Sequence, residues 1–99
     1  MVEANLLTRN EKITVGTTAV KIADRNLNRL LIYIKNTSSG GQTITVSFSE
    51  TKPAVAEEGV VLAEGESITD SNGSGYECYK GAIWAISSAA GGQLSIYER

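Results

Sequence analysis

Pairs of acidic side chains are the first candidates for chemistry in this chain. Glu57 and Glu58 are adjacent, and Glu64 and Glu66 lie two positions apart, so each pair resembles the two carboxylates of a glycosidase. Neighbouring residues on an extended chain point to opposite sides, and acid catalysis needs one carboxyl with a raised pKa. No nearby residue would raise such a pKa. The sequence therefore predicts a solvated loop surface for these carboxylates.

The segment 70–75 has the look of a calcium-binding loop, because it contains the pattern Asp70-x-Asn72-Gly73. In the helix-loop-helix calcium motif, the glycine stands two places later and a glutamate closes the loop. This segment has neither feature. We predict a plain turn in which the Asp and Asn side chains bond to nearby backbone.

The single cysteine and the glycine pairs are the remaining chemical candidates. Cys78 has Lys80 as its nearest cation and no histidine to activate it, so a packed thiol is predicted rather than a nucleophile. The glycine pairs 40–41 and 91–92 would need a following helix and a Gly-Lys-Ser/Thr run to bind phosphate. Neither pair has them, and both are predicted to form hairpin turns.

The composition excludes several classes of function. The chain has 99 residues, 41% of them hydrophobic, with no His and one Cys, which suits a single domain with one core. Without His it lacks the usual general base and the commonest metal ligand, and one Cys cannot form an internal disulfide. We expect a protein that is not an enzyme, uses no cofactor and is made in the cytoplasm. Neither a signal peptide nor a membrane span is visible.

The net charge of −2 hides an uneven distribution along the chain. Residues 1–35 carry six basic and three acidic side chains, whereas residues 36–99 carry three basic and eight acidic ones, so the two parts have charges of +3 and −5. Two interpretations are open: charges scattered over a solvated surface, or oppositely charged faces that meet between copies of the protein. The basic part is too weak and too poor in aromatic residues to indicate nucleic-acid binding.

Period-two alternation of β-branched residues predicts short strands along most of the chain. The clearest is 29–35, where Leu30, Ile32 and Ile34 share one face; apolar residues on the other face indicate a central position. The other predicted strands are 12–15, 19–23, 43–49, 60–62, 66–70, 82–87 and 93–98, with a bridging strand at 76–79 and either a helical turn or an irregular loop at 50–59. This spacing predicts an all-β fold: a single antiparallel β-sandwich, jelly-roll-like or a small barrel, with about seven or eight strands.

Residues 1–10 precede the first predicted strand and carry Leu6 and Leu7 side by side. Exposed apolar surface normally finds a partner. This segment is therefore either an edge strand of the sandwich domain at 11–99 or an arm that docks on another subunit. We predict Leu6, Leu7 and Arg9 as its contacts with a partner.

Four aromatic side chains could stack on a sugar: Tyr76, Tyr79, Trp84 and Tyr97. Trp84 lies in a strongly apolar strand, which favours packing in the core over exposed stacking.

Several segments occur in an order that points to a known family. They are Asn28-Arg29, the alternating strand Leu30-x-Ile32-x-Ile34, the Asn-Thr-Ser-Ser run at 36–39, Gly-Val-Val-Leu-Ala-Glu-Gly-Glu-Ser at 59–67, Gly-Ala-Ile-Trp-Ala-Ile-Ser at 81–87 and Leu-Ser-Ile-Tyr-Glu at 94–98. Over residues 13–98 their order and spacing resemble small β-sandwich proteins of tailed-bacteriophage virions, among them head decoration (cement) and head-fibre proteins.

This resemblance implies a structural virion protein, most directly a capsid decoration protein on the capsid surface. Such a protein binds the major capsid protein, bridges its subunits and associates as a homotrimer at local three-fold positions; no catalytic motif or cofactor comes with it. The alternative is a carbohydrate- or receptor-binding module of a tail or fibre. A binding module should expose aromatic residues in a concave patch, whereas a decoration protein should present a flat apolar base.

Overall fold

The alternating β-branched segments form strands in the computed structural model, which describes residues 8–99. Within this range the chain forms eight strands and no helix, so it has no helix that could cross a membrane. The strands are β1 (Arg9–Val15), β2 (Val20–Ala23), β3 (Leu31–Asn36), β4 (Ile44–Phe48), β5 (Val60–Leu62), β6 (Ser67–Ser71), β7 (Ile83–Ser87) and β8 (Gly92–Glu98).

The strands make two four-stranded antiparallel sheets, one in the order β1-β8-β3-β6 and the other in the order β2-β7-β4-β5. Only β4 and β5 are consecutive in the chain and paired with each other. Every other connection passes from one sheet to the other. This strand order is that of a jelly roll, in which two Greek keys wrap into a double sheet. The predicted antiparallel β-sandwich is confirmed.

The predicted hairpins are wrong, because the strands before and after each glycine pair belong to different sheets. The pair 40–41 lies between β3 and β4, and in the pair 91–92 Gly91 lies between β7 and β8 while Gly92 is the first residue of β8. Gly41 and Gly91 have positive φ angles of 81° and 83°, so they let the chain turn the corner between the sheets. In the same way, β6 pairs with β3, in the opposite sheet from β5, the strand that precedes it in the chain.

Two further segments differ from the sequence interpretation. Residues 76–79 form no strand, and only an isolated bridge joins Gly73 to Tyr76. Of the two alternatives for 50–59, the structure has the irregular loop, with a bridge between Val55 and Glu58 and a positive φ of 67° at Glu57. The first strand begins at Arg9 rather than at residue 12.

The inward side chains of both sheets form one continuous core. Its buried members are Val15, Ile22, Ala23, Ile32, Ile34, Ile44, Val46, Leu62, Ile83, Ala85, Leu94 and Ile96. Burial of a large aliphatic side chain contributes about 1.5–3 kcal/mol, so this set dominates the stability of the sandwich.

A fully buried arginine ties together one end of the sandwich. Arg29 Nε donates to Glu98 Oε2 at 2.6 Å, and Nη1 donates to the carbonyl oxygens of Tyr79 and Gly81 at 2.9 and 3.0 Å. Its Nη2 donates to the carbonyl oxygen of Asp24 at 2.8 Å. One side chain thereby fixes two linkers against the end of β8.

Candidate binding surfaces

The outer face of the β1-β8-β3-β6 sheet, here called the tyrosine face, carries no acidic side chain at its twelve outward positions. The register places on it Asn10, Lys12, Thr14, Leu31, Tyr33, Lys35, Ser67, Thr69, Ser71, Gln93, Ser95 and Tyr97. The hydrogen bond from Gln93 Nε2 to Thr14 Oγ1, at 3.2 Å, runs across this face.

Two half-buried tyrosines occupy the middle of the tyrosine face. Tyr33 and Tyr97 lie directly opposite each other on β3 and β8. In the next row, Lys12 and Lys35 stand on either side of Ser95. The aromatic centre is typical of protein–protein interfaces, whereas the Lys and Ser side chains around it belong to residue types that such interfaces contain less often than other surfaces do. Nine of the twelve outward side chains are polar, so the face is not the flat apolar base that was expected of a decoration protein. Its two lysines, with no carboxylate on the same face, suit it to contact an acidic surface.

Trp84 lies on the outer face of the other sheet, and its predicted place in the core is wrong. Its neighbours Ile83 and Ala85 are fully buried and face inward, so Trp84, one position out of phase, faces outward. Lys21 Nζ lies 5.7 Å from the centroid of its ring. The strand 82–87 is apolar on both faces, and this pattern left the side of Trp84 undetermined.

The loop 49–59 covers part of this second outer face. Thr45 points outward from β4, yet it is only 4% exposed, because the backbone N–H of Glu57 donates to its Oγ1 at 3.0 Å. Gly59, with φ of 139°, passes so close that a Cβ there would lie 2.5 Å from the carbonyl oxygen of Val46. The second face is thus partly occupied by the protein's own loop.

A cleft of about 350 Å³ opens at the sandwich edge between β5 and β6, and we call it the aromatic cleft. Its lining residues are Phe48, Val60, Ile68, Thr69, Asp70, Tyr76 and Tyr79. None of them is basic. The rings of Phe48 and Tyr79 pack edge to face, with centroids 5.5 Å apart.

Asp70 organises the polar side of the aromatic cleft. Its Oδ1 accepts a hydrogen bond from Tyr76 Oη at 2.6 Å, and its Oδ2 accepts one from the backbone N–H of Tyr79 at 2.8 Å. The hydrogen bond to Asp70 raises the pKa of Tyr76. Burial, with a further contribution from the charge of Glu50, raises the pKa of Tyr79.

The loop that resembles a calcium site uses its oxygens within the fold. Besides the two bonds to Asp70, Asn72 Oδ1 accepts a hydrogen bond from the backbone N–H of Cys78 at 2.8 Å. No group of three or more candidate metal ligands comes together among residues 8–99. Cys78 is buried, and its Sγ lies 3.2 Å from the carbonyl oxygen of Arg29 and 3.6 Å from Lys80 Nζ.

Of the three predicted partner contacts, Leu6 and Leu7 lie outside the described residues. Arg9 begins β1, and its Nη2 donates to the carbonyl oxygen of Ile22 on β2 at 2.9 Å. Its Nε lies 3.5 Å from Glu98 Oε1. The guanidinium thus joins the two sheets at their β1–β2 edge, and its contact with a partner stays a prediction.

The uneven charge along the chain is partly neutralised inside the molecule. Arg9 and Arg29 both approach Glu98, and Arg25 Nη1 lies 3.3 Å from Glu50 Oε2. Each pair joins a basic residue of the first third to an acidic residue of the remainder. Lys12 and Lys35 form no ion pair with any described residue, and both lie on the tyrosine face.

The acidic pairs that suggested a glycosidase support loops instead. Glu64 Oε1 accepts a hydrogen bond from the backbone N–H of Gly41 at 2.8 Å, and Glu66 Oε1 accepts one from that of Ala63 at 2.7 Å. Glu58 Oε1 lies 3.0 Å from Lys52 Nζ. These contacts hold the loops between strands in place.

Comparison of the chain with protein-family models gave no match, and comparison with curated proteins gave none either.

Proposed function

We propose that this chain is a structural virion protein, a capsid decoration protein that docks on the outer surface of a bacteriophage capsid through the tyrosine face. The observation that carries the proposal is the face itself, an open sheet surface with two central tyrosines, two lysines and no carboxylate. The similarity of the sequence to virion β-sandwich proteins supports the same role.

The physical task of a decoration protein suits this fold. A capsid must resist the pressure of packed DNA, and a rigid domain bound where subunits meet adds contact area without any chemistry. The sandwich is rigid because its core is continuous and because Arg29 and Arg9 tie strands and linkers together. Bound at local three-fold positions as a homotrimer, it would bridge neighbouring copies of the major capsid protein.

The charges specify what the partner surface must offer. Lys12 lies on β1 and Lys35 on β3, the two strands that flank β8, and there is no carboxylate on the same face. Complementary potential between surfaces raises the association rate and fixes orientation. The proposal therefore requires acidic side chains on the capsid surface that receives the tyrosine face.

Co-sedimentation with capsids of the phage that encodes the chain tests this proposal. The double variant K12E/K35E reverses both charges of the face, and K21E/K52E changes the net charge by the same amount away from it. We expect K12E/K35E to bind at least tenfold more weakly and K21E/K52E to bind as the unmodified protein does. Equal binding by both variants would remove the tyrosine face from the interface, and failure of the unmodified protein to co-sediment would overturn the function.

A further inference from the structure

The aromatic cleft is a second surface feature, which borders the tyrosine face at Thr69. It opens where the edge strands β5 and β6 of the two sheets diverge, and β5 is only three residues long. Phe48, Val60 and Ile68 form its floor and are packed against the core. Apart from Thr69, the residues that line the cleft lie outside the tyrosine face, so a protein docked through that face would leave them open to solvent.

Tyr76 is held in place although little of it is packed. Tyr76 lies in a loop, and 57% of its surface is exposed, the largest exposed fraction of any aromatic residue in the described chain. The bond from its hydroxyl to Asp70 fixes one end of the ring, and the bridge to Gly73 fixes its backbone. A large apolar ring is thereby presented to solvent at the mouth of the cleft in a defined orientation.

Asp70 retains capacity for further hydrogen bonds. A carboxylate offers about four acceptor sites, and each of its oxygens receives one hydrogen bond, from Tyr76 and from the backbone of Tyr79. The cleft therefore offers acceptors for hydroxyl donors next to an apolar ring and an apolar floor. Its volume of about 350 Å³ is at the lower end of the range typical of small-molecule sites.

From this arrangement we infer that the aromatic cleft binds neutral saccharides, with one sugar ring stacked on Tyr76 and its hydroxyl groups donating to Asp70. The pyranose ring offers both an apolar C–H face and hydroxyl donors, which are the two features that the cleft complements. Anionic sugars and phosphates are disfavoured, because the lining has a carboxylate and no basic residue.

A quaternary ammonium ion is the competing ligand for an aromatic site that contains a carboxylate. Cages for such ions surround the cation with the faces of several rings. Here Phe48 and Tyr79 are packed edge to face against each other, and Tyr76 is the one strongly exposed ring of the lining. The cleft thus provides one stacking platform and not a cage, which favours the saccharide.

Titration of the ¹⁵N-labelled protein by NMR tests this inference. The probes are glucose, galactose, N-acetylglucosamine and their β-linked disaccharides, with glucuronate and tetramethylammonium as the anionic and cationic probes. We expect at least one neutral sugar to produce saturating chemical-shift changes at the backbone amides of Tyr76 and Tyr79. Both residues contact Asp70, Tyr76 through its side-chain hydroxyl and Tyr79 through its backbone N–H. Glucuronate should bind more weakly than the neutral sugar.

Two variants show where the sugar binds. Tyr76→Ala removes the platform and should raise the Kd at least about tenfold, the effect of losing one stacked ring. Tyr33→Ala removes a tyrosine of the tyrosine face, outside the cleft, and should leave the Kd for the sugar unchanged. The inference is overturned if no neutral sugar produces saturating shifts at its highest soluble concentration, if tetramethylammonium saturates the cleft instead, or if Tyr76→Ala binds as tightly as the unmodified protein. Co-sedimentation of Tyr76→Ala with capsids is a separate measurement. Because this variant leaves the tyrosine face unchanged, it should bind capsids as the unmodified protein does, whatever its affinity for sugars.

Discussion

Replacement of Arg29 by methionine removes the side chain that ties one end of the sandwich together. Methionine keeps an unbranched stem of similar length but donates no hydrogen bond. The change leaves Glu98 without its 2.6 Å partner, and it leaves the carbonyl oxygens of Asp24, Tyr79 and Gly81 without a side-chain donor. Because Arg29 is fully buried, the space it leaves gives water little access to these groups.

The expected loss is a large fraction of the total stability. Breaking a buried ion pair by removal of one partner costs about 3–5 kcal/mol, compared with a total of about 5–15 kcal/mol for a domain of ordinary stability. For a domain of this size, about 1 kcal/mol corresponds to a shift of about 4–8 °C in Tm. We therefore expect Arg29→Met to lower the Tm by about 12–40 °C.

Urea denaturation followed by circular dichroism measures this loss, with Arg25→Met as the matched control. Arg25 also pairs with a carboxylate, Glu50, at 3.3 Å, but its side chain is 61% exposed. Exposed ion pairs contribute about 0–1 kcal/mol, so Arg25→Met should change the free energy of unfolding by no more than that. If Arg29→Met is too unstable to purify, Glu98→Gln retains an acceptor for Nε and should lose about 1–3 kcal/mol.

A stabilising role of Arg29 is excluded if Arg29→Met and Arg25→Met differ by less than about 1 kcal/mol in the free energy of unfolding. Such a result would mean that the buried guanidinium gains no more from its four bonds than it loses on desolvation.

Three further predictions concern other parts of the sandwich. Gly92→Ala should destabilise by about 1–3 kcal/mol, because its Cβ would lie 2.7 Å from the carbonyl oxygen of Val15, whereas Gly73→Ala, with open space around it, should be nearly neutral in the same denaturation assay. Iodide should quench part of the Trp84 fluorescence, because the ring faces outward from β7 but is half-buried and its Nε1 is covered, and emission that resists iodide completely would contradict that placement. Because burial raises the pKa of Tyr79, its contribution to stability is complete below the unfolded value of about 10 and is lost as the pH rises through the folded value. Denaturation between pH 8 and 11 should show this decline, which Tyr79→Phe should reduce; an unchanged decline in Tyr79→Phe would assign it to other groups.

The sequence predicted the strands better than their partners. Period-two alternation at Ile32 and Ile34 or at Ile44 and Val46 is a local signal, and these four side chains do face the core. The same pattern placed Leu30 with Ile32 and Ile34, which is wrong, because β3 begins at Leu31 and Leu30 is 46% exposed. Pairing depends on contacts between residues far apart in the chain, such as Ile32 with Glu98 and with Asp70. A turn-forming sequence at 40–41 is compatible both with a hairpin and with a corner between sheets, so it could not distinguish them.

The candidate sites were harder to predict than the fold. The strand 82–87 is apolar on both faces, so alternation alone could not place Trp84. Arg29 gives no local signal either, because its four partners come from positions 5 to 69 residues away. Tyr76 was among the aromatic residues considered for sugar stacking, but its neighbours in the cleft come from β4, β5 and β6. The tyrosine face likewise exists only through the registers of four strands.

Electron cryomicroscopy of capsids saturated with the protein is the most direct test of docking through the tyrosine face. We expect density for a sandwich of two four-stranded sheets on the outer capsid surface at the local three-fold positions, with Tyr33, Tyr97, Lys12 and Lys35 against the major capsid protein. Capsids that carry no such density, or domains that contact the lattice only through the face that bears Trp84, would contradict it.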